Sequence, residues 1–342
     1  MSWIYKFTTL LLCLLSFSLY GDSGYFFCIE GGGSKTILQV VNQKGQIVSL
    51  IQDGIQKDKI ETTGSNINLI GPDGIRQVLS ALFDRIFIVE EGQQTDCESL
   101  ISDSRIIAGM AGASLFQNKQ TLTLLFEEKG ISCDHVIVMS DAEMALQLIP
   151  SEGIILVSGT GSVCLGKKEE AFFRVGGLGR ILGDEGSGYQ IGLQALKATL
   201  AEDYGWGMPT SLTPALKEYF QVSDLKTLVP KISLGEMSPS KIASSAPLVF
   251  RHSWDNDKVA EEIINQAAND LGDLLINLLD MSDLLNCEVH LWGGVFKNTL
   301  SESFIHKIKE RLPETYRHLN IINRSNENPA VLFAIQKFSK SL

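Results

Sequence analysis

The chain has 342 residues, of which 44% are hydrophobic and 20% are charged, and its formal net charge at pH 7 is -11. This composition can bury a core and excludes an extensively disordered chain. The negative charge disfavours non-specific binding to nucleic acid or to anionic membranes, so we expect a small-molecule ligand. At about 100 to 200 residues per domain, the length predicts two domains.

The first 21 residues have the pattern of a targeting segment. Lys6 precedes a mostly apolar run over residues 7–20, which is too short to span a membrane as a helix but suits the core of a signal peptide. The 6 cysteines are scattered singly, which favours free thiols in a reducing compartment. A cleaved signal and a start-site artefact both remain open. In either case we place residues 1–21 outside the fold.

Two stretches have the pattern of a small antiparallel sheet. In each, three β-like runs are separated by turn residues, with a glycine-rich string after the first run. The runs are 25–30, 36–41 and 47–51 in the first half, and 154–157, 163–166 and 172–175 in the second. The pattern therefore predicts an internal repeat of architecture that is not visible as repeated letters.

Helical periodicity and further β-like runs fill the rest of the chain. Between the two meanders, helices are predicted at 74–89 and 120–129 and strands at 105–108 and 135–139. After the second meander, helices are predicted at 187–202, 214–220, 241–252 and 257–279, with a last strand at 289–292. Alternating strands and helices are typical of α/β layers. We expect domains over residues 22–145 and 146–342.

Three glycine-rich strings stand out, and the first two could bind phosphate. EGGGSKT (30–36) offers backbone N–H groups and a hydroxyl where no side chain blocks approach. It lacks the spacing GxxxxGK[ST] and precedes a predicted strand, so it is not a Walker loop, and alone it could be a plain hairpin turn. SGTGS (158–162) is a second strand-flanked turn. GGLGRILGDEGSGYQIG (176–192) packs seven glycines and an acidic pair ahead of an amphipathic helix. Together, the EGGGSKT and SGTGS turns could hold a triphosphate.

Five strings together resemble a known family. EGGGSKT, SDAEMAL, SGTGS, GGLGRILGDEGSGYQIG and LWGGVFKN stand in the order found in N-acetylglucosamine kinases, a branch of the BadF/BadG/BcrA/BcrD ATPase family. The resemblance covers nearly the whole chain from residue 25. It implies an α/β fold of two ribonuclease-H-like (actin-like ATPase) domains with an intervening cleft. It also implies a kinase that uses ATP and Mg²⁺ to phosphorylate a hydroxyl of an amino sugar.

The resemblance assigns expected roles to single residues. Glu30 matches an acidic residue near the metal. The residues expected to contact the nucleotide are Gly32, Gly33, Ser34, Lys35, Gly159, Thr160, Gly161, Ser244, Gly294 and Asn298. The residues expected to contact the sugar are Asn66, Asp141, Gly177, Leu178, Gly179 and Asp184.

Asp141 is the candidate catalytic base. It follows a predicted strand and matches the catalytic aspartate of the family, and a carboxylate beside a sugar hydroxyl can accept its proton during attack on the γ-phosphate. The alternative is a helix N-cap, since both Ser140 and Asp141 favour that position. Ser114 stands where several relatives carry an aspartate, which bears on the choice of sugar more than on phosphoryl transfer.

Two other functions remain open. BadF-type activators couple ATP hydrolysis to electron transfer through an iron–sulfur cluster shared across a dimer, which needs suitably placed cysteine ligands. An exported binding protein with an inactive kinase fold is the second. Because a kinase needs ATP where it works, we expect a cytoplasmic protein, with export as the alternative. The identity of the amino sugar and a homodimeric state are left open.

Overall fold

The computed structural model describes residues 24–149, 151–169, 171–297 and 300–339. The predicted targeting segment of residues 1–21 and the candidate residue Asn298 lie outside this described part of the chain. Within it, no helix is long and apolar enough to cross a membrane. The chain forms two compact units, one of residues up to Leu148 together with those from Asn328 onwards, and one of Ile149–Glu327.

The described part of the first unit contains a nine-stranded sheet with the order β7-β6-β3-β2-β1-β8-β9, in which β4 pairs with β3 and β5 with β2. The strands are Phe26–Gly31 (β1), Lys35–Val41 (β2), Ile47–Gln52 (β3), Ile55–Lys57 (β4), Ile60–Thr63 (β5), Phe87–Glu90 (β6), Gln93–Asp96 (β7), Arg105–Met110 (β8) and Val136–Met139 (β9). β1 pairs antiparallel with β2, whereas β1, β8 and β9 run parallel. The segments that follow these three parallel strands therefore meet at one edge of the sheet.

In the described residues, three α-helices lie between these strands, Ile67–Phe83 (α1), Cys97–Leu100 (α2) and Phe116–Glu127 (α3), and a fourth, Asp141–Leu146 (α4), follows β9. The prediction of a helix over 74–89 is wrong at its end, because α1 stops at Phe83. Asp84 has an extended backbone, and the φ of Arg85 is 60°, in the left-handed region. The right-handed helix therefore ends before these two residues. Residues 87–89 instead pair with β3, and of these three side chains Ile88 is the buried one.

The second unit has a five-stranded sheet over the described residues, with the order β12-β11-β10-β13-β14. Its strands are Glu152–Ser158 (β10), Ser162–Lys168 (β11), Ala171–Gly176 (β12), Glu288–Trp292 (β13) and Asn320–Asn323 (β14). Three antiparallel strands are followed by two parallel ones, as in β3-β2-β1-β8-β9 of the first unit. The predicted repeat of architecture is thus confirmed.

Helices make up most of the rest of the second unit. They are Gly188–Asp203 (α5), Leu212–Phe220 (α6), Leu228–Ser233 (α7), Pro239–Ala243 (α8), Ala246–Trp254 (α9), Lys258–Ser282 (α10) and Ser301–Arg311 (α11). The single helix predicted over 241–252 is wrong, because two helices meet at Ser244 and Ser245. Pro247 has no backbone N–H to donate to Ala243, so the first helix cannot continue and the second begins there.

The last helix, Pro329–Ser339 (α12), belongs to the first unit. Side chains alternate across β1: Phe27 and Ile29 join the main core of the unit, whereas Phe26 and Cys28 pack with Ala330 and other side chains of α12. The predicted second domain of residues 146–342 included this segment. Its apolar face is instead buried on the first sheet, against a strand about 300 residues earlier in the chain.

Candidate active site

Two carboxylates lie at the carboxyl edge of the first sheet. Glu30, near the end of β1, is in register with Gly109 of β8, and Gly109 is in register with Met139 of β9. Asp141 follows Met139 by two residues and begins α4. A Cβ on Gly109 would lie 3.5 Å from the Asp141 Cα, so the missing side chain lets the start of α4 approach β8. Glu30, the predicted metal-side residue, and Asp141, the predicted base, are thus placed at the same edge of the sheet, with β8 between their strands β1 and β9.

The start of α4 is built around a capping box. The Ser140 hydroxyl accepts a hydrogen bond from the Glu143 N–H at 3.1 Å, and the Glu143 carboxylate accepts one from the Ser140 N–H at 3.0 Å. Asp141 is the first helical residue, and its Oδ1 accepts from the Ala142 N–H at 2.9 Å. Ser140 is therefore the N-cap of this helix. Capping the helix is thus the role of Ser140 and does not account for an aspartate at position 141.

The first glycine turn, residues 31–34, rests on the segment that leads into α1. The Gly32 N–H donates to the Lys35 carbonyl at 2.9 Å, and the Ser65 N–H donates to the Gly32 carbonyl at 3.0 Å. The turn carries two half-buried glycines, Gly32 and Gly33, and an exposed Ser34. The Lys35 ammonium lies 3.5 Å from Glu61, so its charge is directed towards that carboxylate.

Asn66 lies against a turn formed by residues 110–113. Its Oδ1 caps α1 by accepting from the Asn68 N–H at 3.1 Å. A Cβ on Gly112, whose φ is 85°, would lie only 2.7 Å from that oxygen. Asn118 of α3 donates to the Gly112 carbonyl at 2.7 Å and to the Asn68 side chain at 2.8 Å. Asn68 and Asn118 were missed in the sequence, where isolated polar residues on a helix carry no distinguishing signal.

The SGTGS turn of the second unit is tied to the segment before α5. The Ser158 hydroxyl donates to the Gly186 carbonyl at 2.9 Å, and the Ser162 hydroxyl donates to the Glu185 carbonyl at 2.6 Å. Two of the three hydroxyls of the motif thus hydrogen-bond to backbone carbonyls of the same unit. The third, on Thr160, lies at the half-exposed tip between Gly159 and Gly161.

Four segments of the second unit meet around Gly159. The Gly188 N–H, at the start of α5, donates to the Gly159 carbonyl at 2.8 Å. A Cβ on Gly188 would lie 3.3 Å from the Ala243 carbonyl, and one on Gly159 would lie 3.7 Å from the Gly294 nitrogen. The structure therefore brings the SGTGS turn, the helix start, the α8 end and the turn after β13 together.

Ser244 ends α8 beside this meeting point. Its hydroxyl is 2.6 Å from the Tyr219 hydroxyl and donates to the Lys241 carbonyl at 2.9 Å. The Lys241 ammonium lies 4.3 Å from the centre of the Tyr219 ring. Tyr219 and Lys241 were not predicted, because Tyr219 is 25 residues away from Ser244 in the chain.

The predicted sugar segment, residues 177–184, is anchored at both ends. Arg174 donates to the Gly177 carbonyl at 2.8 Å, and Gln190 donates to the Arg180 carbonyl at 3.3 Å. The Asp184 carboxylate accepts backbone N–H groups of Ser162 and Gly179, while burial, the largest cause, raises its pKa. Asp184 thus ties the segment to the SGTGS turn.

The remaining predicted sugar residues lie within this segment. Gly177 and Gly179 have φ values of 69° and 85°, which favour glycine. Leu178 between them is 68% exposed. Sugar contacts at these three residues stay predictions.

Comparisons with known proteins identify the relatives of this chain. A profile of the BadF/BadG/BcrA/BcrD ATPase family matches residues 29–331. The chain is 30% identical over 309 residues to the N-acetylmuramic acid/N-acetylglucosamine kinase of Clostridium acetobutylicum, which covers 89% of this chain and 95% of the relative. It is 28% identical over 307 residues to the N-acetyl-D-glucosamine kinase of Dictyostelium discoideum, with 84% and 91% covered.

Solved structures share the fold. A structure assigned as an N-acetylglucosamine kinase, from Chromobacterium violaceum, has a TM-score of 0.66 at 21% identity, covering 92% of this chain and 99% of that chain. A ROK family glucokinase from Streptomyces griseus, solved with glucose and AMPPNP, has a TM-score of 0.55 at 16% identity, covering 91% and 98%. At these identities the likeness concerns the fold, which is that of the actin-like ATPases.

Proposed function

Because the chain belongs to the BadF/BadG/BcrA/BcrD ATPase family, we propose that it is an ATP-dependent kinase that transfers the γ-phosphate to a hydroxyl of an N-acetylglucosamine-like amino sugar. The observation that carries this proposal is that Glu30, near the end of β1, and Asp141, just after β9, lie at the same edge of the sheet with the single strand β8 between them, and that a glycine turn follows Glu30. A carboxylate that can take a proton and a turn that can accept phosphate are the parts that phosphoryl transfer needs. We place the activity in the cytoplasm, where ATP is supplied.

In this proposal, Asp141 is the general base. Its carboxylate accepts the proton of the sugar hydroxyl while that oxygen forms a bond to the γ-phosphorus, and the bond to the β-phosphate oxygen breaks to release ADP. The carboxylate is half-buried and is held at the start of α4 by the bond from the Ala142 N–H. A fixed base loses little entropy on reaching the transition state.

A magnesium ion is expected to accompany the nucleotide. No group of three or more His, Cys, Asp or Glu side chains that could hold a metal occurs in the described part of the chain. This fits Mg²⁺, which proteins of this kind usually hold through one or two carboxylates, water and the phosphates themselves. Glu30 would supply that carboxylate. When bound, the ion neutralises charge on the phosphates.

Nucleotide binding is expected to depend on the tip of the SGTGS turn. Thr160→Val keeps the shape of the side chain but removes the hydroxyl, so it should weaken ATP binding by about 1–3 kcal/mol. Isothermal titration with a non-hydrolysable ATP analogue measures this. Thr121→Val, which removes a hydroxyl that donates to the Gln117 carbonyl within α3, is the matched control and should bind ATP like the parent. Equal affinity of the two variants would show that the phosphates do not lie at Thr160.

A panel of sugars tests the proposed reaction directly. N-acetylglucosamine, glucosamine, N-acetylmuramic acid and N-acetylmannosamine differ by few polar groups, so one hydrogen bond in the pocket can decide among them. We expect ADP release with ATP to be stimulated by at least one of these sugars well above the rate with glucose. ATP hydrolysis that no amino sugar stimulates would contradict the proposal.

The cysteines weigh against the iron–sulfur alternative. Four of the five cysteines in the described residues, namely Cys28, Cys97, Cys164 and Cys287, are buried. Burial raises the pKa of Cys28 and Cys164, and it raises the pKa of Cys97 to about 12. A thiol that stays protonated is a poor ligand for iron. Iron analysis of protein purified without oxygen would detect a cluster.

A further inference from the structure

We propose that the first turn of α3 is the positioning element of the first unit, with Asn118 acting on the sugar side of the site and Lys119 acting on the catalytic aspartate. This inference rests on the proposed function. Neither residue is a candidate for contact with substrate. They are consecutive in the chain, yet their hydrogen bonds lead to two different parts of the site.

Lys119 holds the capping box that carries Asp141. Its ammonium lies 2.7 Å from Glu143 Oε2, the same oxygen that accepts the Ser140 N–H. Glu143 also donates its own N–H to the Ser140 hydroxyl, so the two residues form a closed ring. Asp141 is one of the two residues between them in the chain. Fixing the Glu143 side chain therefore fixes the backbone from which Asp141 projects.

Lys119 also balances charge beside the base. Asp141 and Glu143 are two carboxylates in one helical turn, and the triphosphate that must react nearby is itself strongly negative. The Lys119 side chain is only 26% exposed and that of Glu143 only 35%, so solvent screens this pair less than a surface ion pair. Without Lys119, Glu143 would carry an uncompensated charge and would be free to leave the capping box.

Asn118 holds the part of the site that contains Asn66. Its amide donates to the Gly112 carbonyl and to the Asn68 side chain, and these two residues flank Asn66. Loss of this amide should loosen the turn of residues 110–113 against the start of α1. Since no hydrogen bond of Asn118 reaches α4 in the described residues, the orientation of Asp141 should be unaffected.

Substitutions of the two residues should therefore change different kinetic constants. For Lys119→Met we expect kcat to fall about tenfold or more, with the KM for the sugar nearly unchanged, because misplacing a reacting group by a fraction of an ångström is costly. Lys119→Arg retains the charge and should recover much of the rate. For Asn118→Ala we expect the KM for the sugar to rise about fivefold, the effect of losing a hydrogen bond or two, with kcat within about twofold of the parent.

Lys129→Met is the matched control for Lys119→Met. Lys129 follows α3 and forms an ion pair of the same length, 2.7 Å, with Asp84, and its side chain is also 26% exposed. The two variants therefore lose the same charge and a similar ion pair. Lys129→Met should keep the parental kcat. If Lys119→Met has the kcat of Lys129→Met, or if Lys119→Arg is no better than Lys119→Met, the inference is wrong.

A second measurement separates this inference from the proposed function. Hydrogen exchange of the Ser140 and Glu143 amides, which the capping box protects, can be followed in the full chain whether or not it phosphorylates a sugar. We expect faster exchange of both amides in Lys119→Met than in Lys129→Met. Equal exchange would overturn the positioning role even in an active kinase. Faster exchange in a protein that phosphorylates no sugar would leave the positioning role standing and remove the proposed function.

Discussion

Asp141→Asn is expected to lower kcat by about 10² to 10⁴, the usual effect of removing a general base, while ATP and the sugar bind nearly as in the parent. The amide has the size of the carboxylate but cannot accept the proton of the attacking hydroxyl. Single-turnover measurement of ADP formation, together with titration of each ligand, separates the chemical step from binding.

The fold should survive this substitution. Ser140 is the N-cap of α4, and the amide oxygen of asparagine can still accept the Ala142 N–H that Asp141 Oδ1 accepts. We therefore expect the melting temperature to change by no more than a few degrees. Asp53→Asn, in the exposed turn between β3 and β4, makes the same chemical change away from the site and should leave kcat unaltered. An Asp141→Asn protein that phosphorylates its sugar within a few-fold of the parental rate would rule out the proposed base.

The second large effect is expected at the turn after β13. A Cβ on Gly293 would lie 2.2 Å from the carbonyl oxygen of Ser158 and 2.5 Å from its carbon, both backbone atoms that cannot move aside alone. The φ of 109° adds strain of about 1–3 kcal/mol for any other residue. Gly293→Ala should therefore push the end of β13 away from the SGTGS turn. We expect a melting temperature lower by several degrees and an ATP affinity reduced at least about tenfold.

Gly235→Ala is the control that separates the cost of a positive φ from the cost of a steric clash. Gly235 has a φ of 76°, but a Cβ there would meet no atom within 4 Å. This variant should show the cost of the backbone conformation alone, with ATP affinity unchanged. If Gly293→Ala binds ATP as well as Gly235→Ala does, the contact between the two turns is not needed for the nucleotide.

Local patterns made part of the fold predictable. Both meanders, the two later strands of the first unit and the long helix α10 follow from runs whose period is set by the backbone itself. The small strands β4, β5 and β7 were missed because they are three or four residues long and carry exposed polar side chains. The helix predicted through residue 89 failed because Ile86 continues the helical spacing of Leu82 and Phe83, whereas Ile86 and Ile88 alternate as in a strand.

The sequence by itself determined the family, the repeated α/β architecture and the position of the EGGGSKT and SGTGS turns, because each depends on residues that are close together in the chain. Only the tertiary structure decided what those turns touch. The bond from Ser158 to Gly186 spans 28 residues, and that from Asn118 to Asn68 spans 50. Such contacts leave no periodic trace in a single sequence, since they depend on how sheets and helices pack. For the same reason, the packing of the C-terminal helix on the first sheet and the ion pair of Lys119 with Glu143 could not be predicted.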